Sequence, residues 1–175
     1  MTDSRTPAAP QQEVWLRGPL AGFDPVVLPA AQALMQSAED ITRAAEPLNV
    51  AELWTSPGGA ASVGFHLTHI AGSIDRLLTY ARGEPLDETQ RRALAAEKHA
   101  GTPPVDAATL VANATGAMQR AVQALRDTPR TELFAPRGVG RAQLPSTVWG
   151  LLFHIAEHTQ RHTGQVITTA KIVRG

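Results

Sequence analysis

The sequence predicts an all-α protein, a four-helix bundle with long joins and room for one short extra helix. Three observations carry this reading. Four segments place apolar residues at three- and four-residue spacing. The joins between them are rich in Gly and Pro. The strict alternation that marks half-buried strands is nearly absent. The 175 residues fit a single domain, and an apolar fraction of 43% is ordinary for a globular core.

Taken in order, residues 1–20 form a polar, Pro- and Ala-rich lead that reads as a flexible tail, with the bundle domain spanning 21–175. The first helix is expected over Pro25–Glu46, with Val27, Leu28, Ala31, Leu34, Met35, Ala38 and Ile41 on one face and Pro47 ending it. The stretch LNVAELWTSPGGA reads as a loop because of Pro57, Gly58 and Gly59. Ser62 is placed to cap a second helix running to Arg82, with Gly83 as its stop. A short helix is expected in the charged middle region, about Asp87–His99. Asp106 caps a third long helix to Arg126, whose buried face is Leu110, Val111, Ala114, Ala117, Met118, Ala121, Val122 and Leu125. TELFAPRGVGRAQLP reads as an irregular loop or a short hairpin. Ser146 or Thr147 then caps a fourth helix to about Lys171.

Composition narrows the chemistry. With no cysteine, disulfides, thiolate metal sites, iron–sulfur clusters and cysteine nucleophiles are excluded. A metal would have to be held by histidine, carboxylate and water. Lys+Arg 16 balance Asp+Glu 16, so there is no basic excess to neutralise a phosphate backbone and nucleic acid is not an expected partner. No apolar signal-peptide core and no membrane-spanning run occur, so no membrane is expected either, and the cytoplasm is the expected location.

The six histidines are unevenly placed. His154, His158 and His162 recur every four residues in the fourth helix, and His66 and His69 lie in the second. Each step of four turns the position by about 40°, so neighbours meet on one face and an i, i+4 pair of imidazoles can hold one metal ion. Position 159 is Thr rather than the Glu of the helical metalloprotease motif, which argues against that class. A lone histidine pair is more often a surface or satisfied core feature than a metal site. A second histidine-bearing helix shifts the balance, because bundle metal sites are built from facing helices. His158 and His162 are the surest ligands, and the third comes from His66 or His69. Imidazoles among Leu151, Ile155, Val166 and Ile167 need a metal or a hydrogen-bond network to offset their burial.

Two segments then carry a family resemblance. In SVGFHLTHIAGSIDRLL, Ser62 is followed seven residues later by His69 and then Ile70; in HIAEHTQRHTGQV, His158 and His162 are followed by Gly164 and Gln165. Both resemble the DinB-like superfamily (DinB/YfiT-like proteins), although Thr163 stands where members often have Arg. The resemblance implies a DinB/YfiT-like bundle with one divalent metal ion, zinc or nickel, on His69, His158 and His162, water completing the shell. It leaves His66, His154 and Gln165 as candidates to support the ligands, His154 also as a base, with Glu157 a weaker one. His99 and Asp75 read as solvated.

The activity that the resemblance implies is metal-dependent transfer of a low-molecular-weight thiol to an electrophile, in stress or detoxification. The ion would lower the thiol's pKa, and a chain without cysteine is compatible with a thiol brought in by the substrate. The alternatives are a hydrolase that uses metal-bound water, and a non-catalytic metal-binding stress protein. Homodimer formation through helix faces stays open. Imidazole ligands suit zinc and nickel alike.

Overall fold

The computed structural model describes residues 12–175. Four long helices make the bundle: α1 (Leu28–Ala45), α3 (Val63–Ala81), α5 (Ala107–Asp127) and α6 (Val148–Arg174). Two short helices, α2 (Val50–Trp54) and α4 (Glu88–Ala96), sit in the joins, and a two-stranded antiparallel sheet of β1 (Pro136–Val139) and β2 (Leu144–Thr147) precedes α6.

The helix starts follow from their caps. Ser62 Oγ accepts from the Phe65 amide at 3.1 Å, Asp106 from Thr109 at 2.8 Å, and Thr147 Oγ1 from Gly150 at 2.9 Å. Each satisfies an amide that the first turn leaves unpaired. Thr147, rather than Ser146, caps α6. Gly83, with φ +80, follows the end of α3 in the left-handed region where a side chain would be strained.

Packing order is not chain order. α1 packs against α5 and α6, and α3 also packs against α5 and α6, so α1 and α3 lie on one diagonal of the bundle. Leu34 and Ile41 from α1, Leu67, Ile70 and Ile74 from α3, Met118 and Leu125 from α5, and Leu152 and Ile155 from α6 are fully buried along its axis. Burial of each such side chain contributes about 1.5–3 kcal/mol. No helix among the described residues is long and apolar enough to cross a membrane.

Three expectations need correction. The segment expected as a loop after Pro47 contains α2, because Asn49 and Glu52 form a reciprocal capping box. Trp54 closes α2 onto the bundle: its indole N–H donates to the Val105 carbonyl at 2.9 Å, and its ring covers Gly64. Residues 12–20 were expected within the flexible tail, yet they lie against α1. Val14 is buried, its amide donates to Gln36 Oε1 at 2.9 Å, and Arg17 pairs with Glu39. The rest of that tail, residues 1–11, lies outside the described residues. Finally, the long helices end a few residues from their expected bounds, α1 starting at Leu28 and α6 running on to Arg174.

The stretch left open between loop and hairpin is a hairpin, with Pro136 opposite Thr147 and Val139 opposite Leu144. The hairpin and the residues just before it tie onto both histidine-bearing helices. Arg137 Nε donates to the last carbonyl of α3, Ala81 O, at 2.7 Å, while the amides of Val148 and Trp149 donate to Ala135 and Leu133 at the start of α6.

Candidate metal centre

The seam between α3 and α6 brings four histidines together. His66 and His69 are one turn apart on α3; His158 and His162 are one turn apart on α6. Ring centroids of His69, His158 and His162 are separated by 5.2, 4.6 and 4.5 Å. One nitrogen from each of these three rings lies within 4.8 Å of the other two, a group that could hold a metal ion.

Hydrogen bonds fix the rings. His69 Nδ1 lies 2.7 Å from Glu97 Oε2, and its Nε2 lies 3.0 Å from His158 Nε2. His66 Nδ1 lies 3.0 Å from His162 Nδ1. Phe65 stacks on the His69 ring at 5.5 Å with an interplanar angle of 11°. The Glu97 carboxylate is buried, 4% exposed, and its other oxygen accepts from Arg76 Nη1 at 2.6 Å.

The electrostatics favour neutral imidazoles. Burial, then the neighbouring His69 and His154 and the Arg161 charge, push His158 down to about 4. Burial, then His158, His69 and His66, do the same to His162, also to about 4. His66 is lowered by burial and by His69. Burial alone would raise the Glu97 carboxyl, but hydrogen bonds from His69 and Arg76 outweigh it and hold it below its ordinary value. His66, His158 and His162 are therefore held toward the unprotonated form, beside a carboxylate held toward the ionised one.

This donor set fits a divalent ion. Neutral imidazole is the ligating form. A carboxylate oxygen 2.7 Å from Nδ1 of His69 places a proton there, and in the neutral ring this leaves Nε2, 3.0 Å from His158 Nε2, as the nitrogen with the lone pair. His158 Nδ1 is buried without a hydrogen-bond partner, as in a ring whose place is set by its other nitrogen.

The remaining histidines and candidates separate clearly. His66 is 5% exposed and joins the cluster through His162. The His154 side chain is 48% exposed; its ring lies 5.4 Å from that of His158, tilted by 39°, and faces Glu157 Oε2 at 3.2 Å. Glu157 also pairs with Arg161 on the outer face of α6. Gln165 is exposed and outside the cluster, and His99 is exposed beyond α4. Asp75 is exposed and accepts from Gln90. Glu97 and Arg76 escaped the sequence reading. Arg76 lies seven residues after His69 on the same helix, a detectable spacing, but Glu97 stands 28 residues from His69 in a charged stretch with no periodic signal.

The fold and the cluster define a class: helical bundles whose diagonal first and second long helices leave a three-imidazole centre between the second and the last. The family model of the DinB superfamily matches residues 33–166, and the chain belongs to that superfamily. Its fold is similar to that of YfiT from Bacillus subtilis, a probable metal-dependent hydrolase with an unusual four-helix bundle topology. The TM-score is 0.64 at 16% identity, covering 89% of this chain and 92% of that one. A DinB-like protein from Bacillus cereus is also similar, with a TM-score of 0.61 at 17% identity over 82% of this chain and 89% of that one. At such identities the likeness bears on the fold. No curated protein matches the chain.

Proposed function

We propose that this protein is a metal-dependent enzyme holding one divalent ion, zinc or nickel, on His69, His158 and His162, and that it activates a low-molecular-weight thiol for transfer to a small electrophile. The observation that carries the reading is the state of the donors. Nitrogens of three imidazoles converge, His158 and His162 among them held toward the unprotonated form, and the buried carboxylate beside them has both oxygens engaged, by His69 and Arg76.

A divalent ion bound there would supply Lewis acidity, lowering the pKa of a bound thiol as it does that of bound water. That matters because Glu97 is not free to take a proton from an incoming nucleophile. The chain's own residues orient the rings. Glu97 fixes His69, His66 fixes His162, and Phe65 covers one face of His69. In the transfer itself the thiol proton leaves to solvent or to the exposed His154, a sulfur–carbon bond forms, and the electrophile's leaving group departs with its electron pair.

Hydrolysis is the second reading, supported by the likeness to YfiT and by His154, whose exposed ring next to His158 could act as a base.

Elemental analysis of the purified chain, followed by turnover of an activated aryl halide with and without added thiol, separates these. Thiol-dependent product formation that disappears together with bound metal in His158→Ala is the expected result. Thiol-independent cleavage of ester substrates would replace the first reading by the second. Metal bound without turnover of either kind would leave a metal-binding protein that is not an enzyme.

A further inference from the structure

We propose that Glu97, seated over Gly72 and braced by Arg76, is a positioning residue that fixes His69 in its ligating form and makes metal affinity depend on the docking of α4. The inference rests on the metal-centre reading above and adds residues to it.

The geometry is a single unit on α3. His69, Gly72 and Arg76 follow i, i+3, i+7 spacing and share a face. Glu97 lies across that face, one oxygen 2.7 Å from His69 Nδ1 and the other 2.6 Å from Arg76 Nη1. The carboxylate fits because residue 72 has no side chain: a Cβ there would stand 2.5 Å from Glu97 Oε1 and 2.8 Å from Arg76 Nη1. A glycine inside a long helix costs roughly 0.5–1 kcal/mol relative to alanine, and its place here coincides with the recess for this carboxylate.

The carboxylate decides which nitrogen of His69 can ligate. An oxygen that accepts at Nδ1 leaves the neutral ring with its proton on Nδ1 and its lone pair on Nε2, which points at the His158–His162 side. Were the proton on Nε2, His69 could not serve as a ligand there. Carboxylates bonded to metal-bound histidines commonly act in this way, and their loss typically lowers metal affinity 10–100-fold.

Glu97 is also what holds its own segment down. It immediately follows α4, which has no buried residue of its own. The other ties of α4 to α3 are Gln90 to Asp75 and Thr79, at 2.6 and 2.8 Å near the surface. Because Glu97 serves both purposes, linkage runs in both directions: a factor gained in metal affinity through docked Glu97 is returned as added stability of the docked segment when metal binds.

The test uses the full chain and Zn2+ in competition with a chelator at neutral pH, for the wild type, Glu97→Gln, Gly72→Ala and His158→Ala. Glu97→Gln keeps the shape of the side chain but can donate to His69 Nδ1, and Gly72→Ala forces the carboxylate to shift from its seat without touching any proposed ligand. Both should bind Zn2+ 10–100-fold more weakly with unchanged helical circular dichroism, whereas His158→Ala should lose tight binding. Imidazole 15N shifts of the metal-free protein provide a readout without metal: the wild type should show His69 as the Nδ1–H tautomer, and Glu97→Gln should shift it toward Nε2–H. Amide exchange in residues 88–97 should slow on adding Zn2+ in the wild type and not in Glu97→Gln. Wild-type affinity in both Glu97→Gln and Gly72→Ala, or an unchanged His69 tautomer in Glu97→Gln, overturns the positioning role while leaving the centre intact. Equal Zn2+ binding by wild type and His158→Ala overturns the centre itself, and the tautomer measurement then still decides whether Glu97 sets His69.

Discussion

Mild acid should destabilise the metal-free protein before its carboxylates begin to titrate. His158 and His162 are each displaced from the ordinary 6.5 to about 4, by burial first and then by neighbouring rings and Arg161. The unfolded chain takes up these protons near pH 6.5, the folded chain only near pH 4. The stability held by the neutral rings is thus complete above about pH 6.5 and is lost as the pH falls from there toward 4, levelling off below. His66, lowered by burial and by His69, acts in the same direction. A tenfold change in proton affinity is worth about 1.36 kcal/mol, so the full displacement amounts to roughly 3.4 kcal/mol per ring. Both rings are partly exposed, and solvent screening cuts this to about half. The pair then accounts for about 3–4 kcal/mol, which in a chain of this length lowers Tm by roughly 6–16 °C. The assay is a series of thermal melts with chelator present, from pH 7.5 down to 4.5, on the wild type and on a His158→Gln, His162→Gln double variant. The wild-type curve should fall through the window and the variant's should be flatter. Parallel curves, or a wild-type Tm that does not move, would refute the assignment of these rings as buried and neutral.

Two further outcomes follow from packing and capping. In Gly64→Ala, the new Cβ would stand 2.8 Å from three ring atoms of Trp54, whose indole is tied to Val105; the cost should be about 1–3 kcal/mol, read as a lower urea midpoint with an unchanged slope. Asn49→Ala removes the side chain that accepts from the Glu52 amide at 3.0 Å and should cost about 1 kcal/mol, with Zn2+ affinity unaltered.

The long helices were legible because each carries its signals locally. Ser62 and Asp106 announce their helices within one turn, and the apolar faces read from Leu110 to Leu125 and from Leu34 to Ile41 are the faces that are buried. The His158–His162 pair was legible for the same reason, one helix and one turn. His69 needed the family pattern to separate it from His66, since spacing alone fits either. What escaped was short or non-local. α2 is only five residues long, although Asn49 and Glu52 carry its capping signature. Glu97 belongs to a stretch whose neighbours are all solvated, and nothing in its surroundings marks a carboxylate that folds back 28 residues onto His69. Likewise, periodicity reports which face of α1 is covered but not by what, so the diagonal placement of α1 and α3 was not accessible from the pattern.

That diagonal has a consequence for how the chain is made. During synthesis α1 and α3 emerge in succession, but they share little packing, and the helices that cover α1 are α5 and α6. At about 5–20 residues per second, the interval between completing α1 at Ala45 and completing α5 at Asp127 is roughly 4–16 s. Over that interval Leu34 and Ile41 have no long helix to pack on, and the final partner, α6, arrives last of all. The nascent chain therefore cannot assemble as a growing hairpin of neighbours. The apolar face of α1 gains its long-helix cover only from α5 and then α6, so the bundle closes through contacts far apart in sequence.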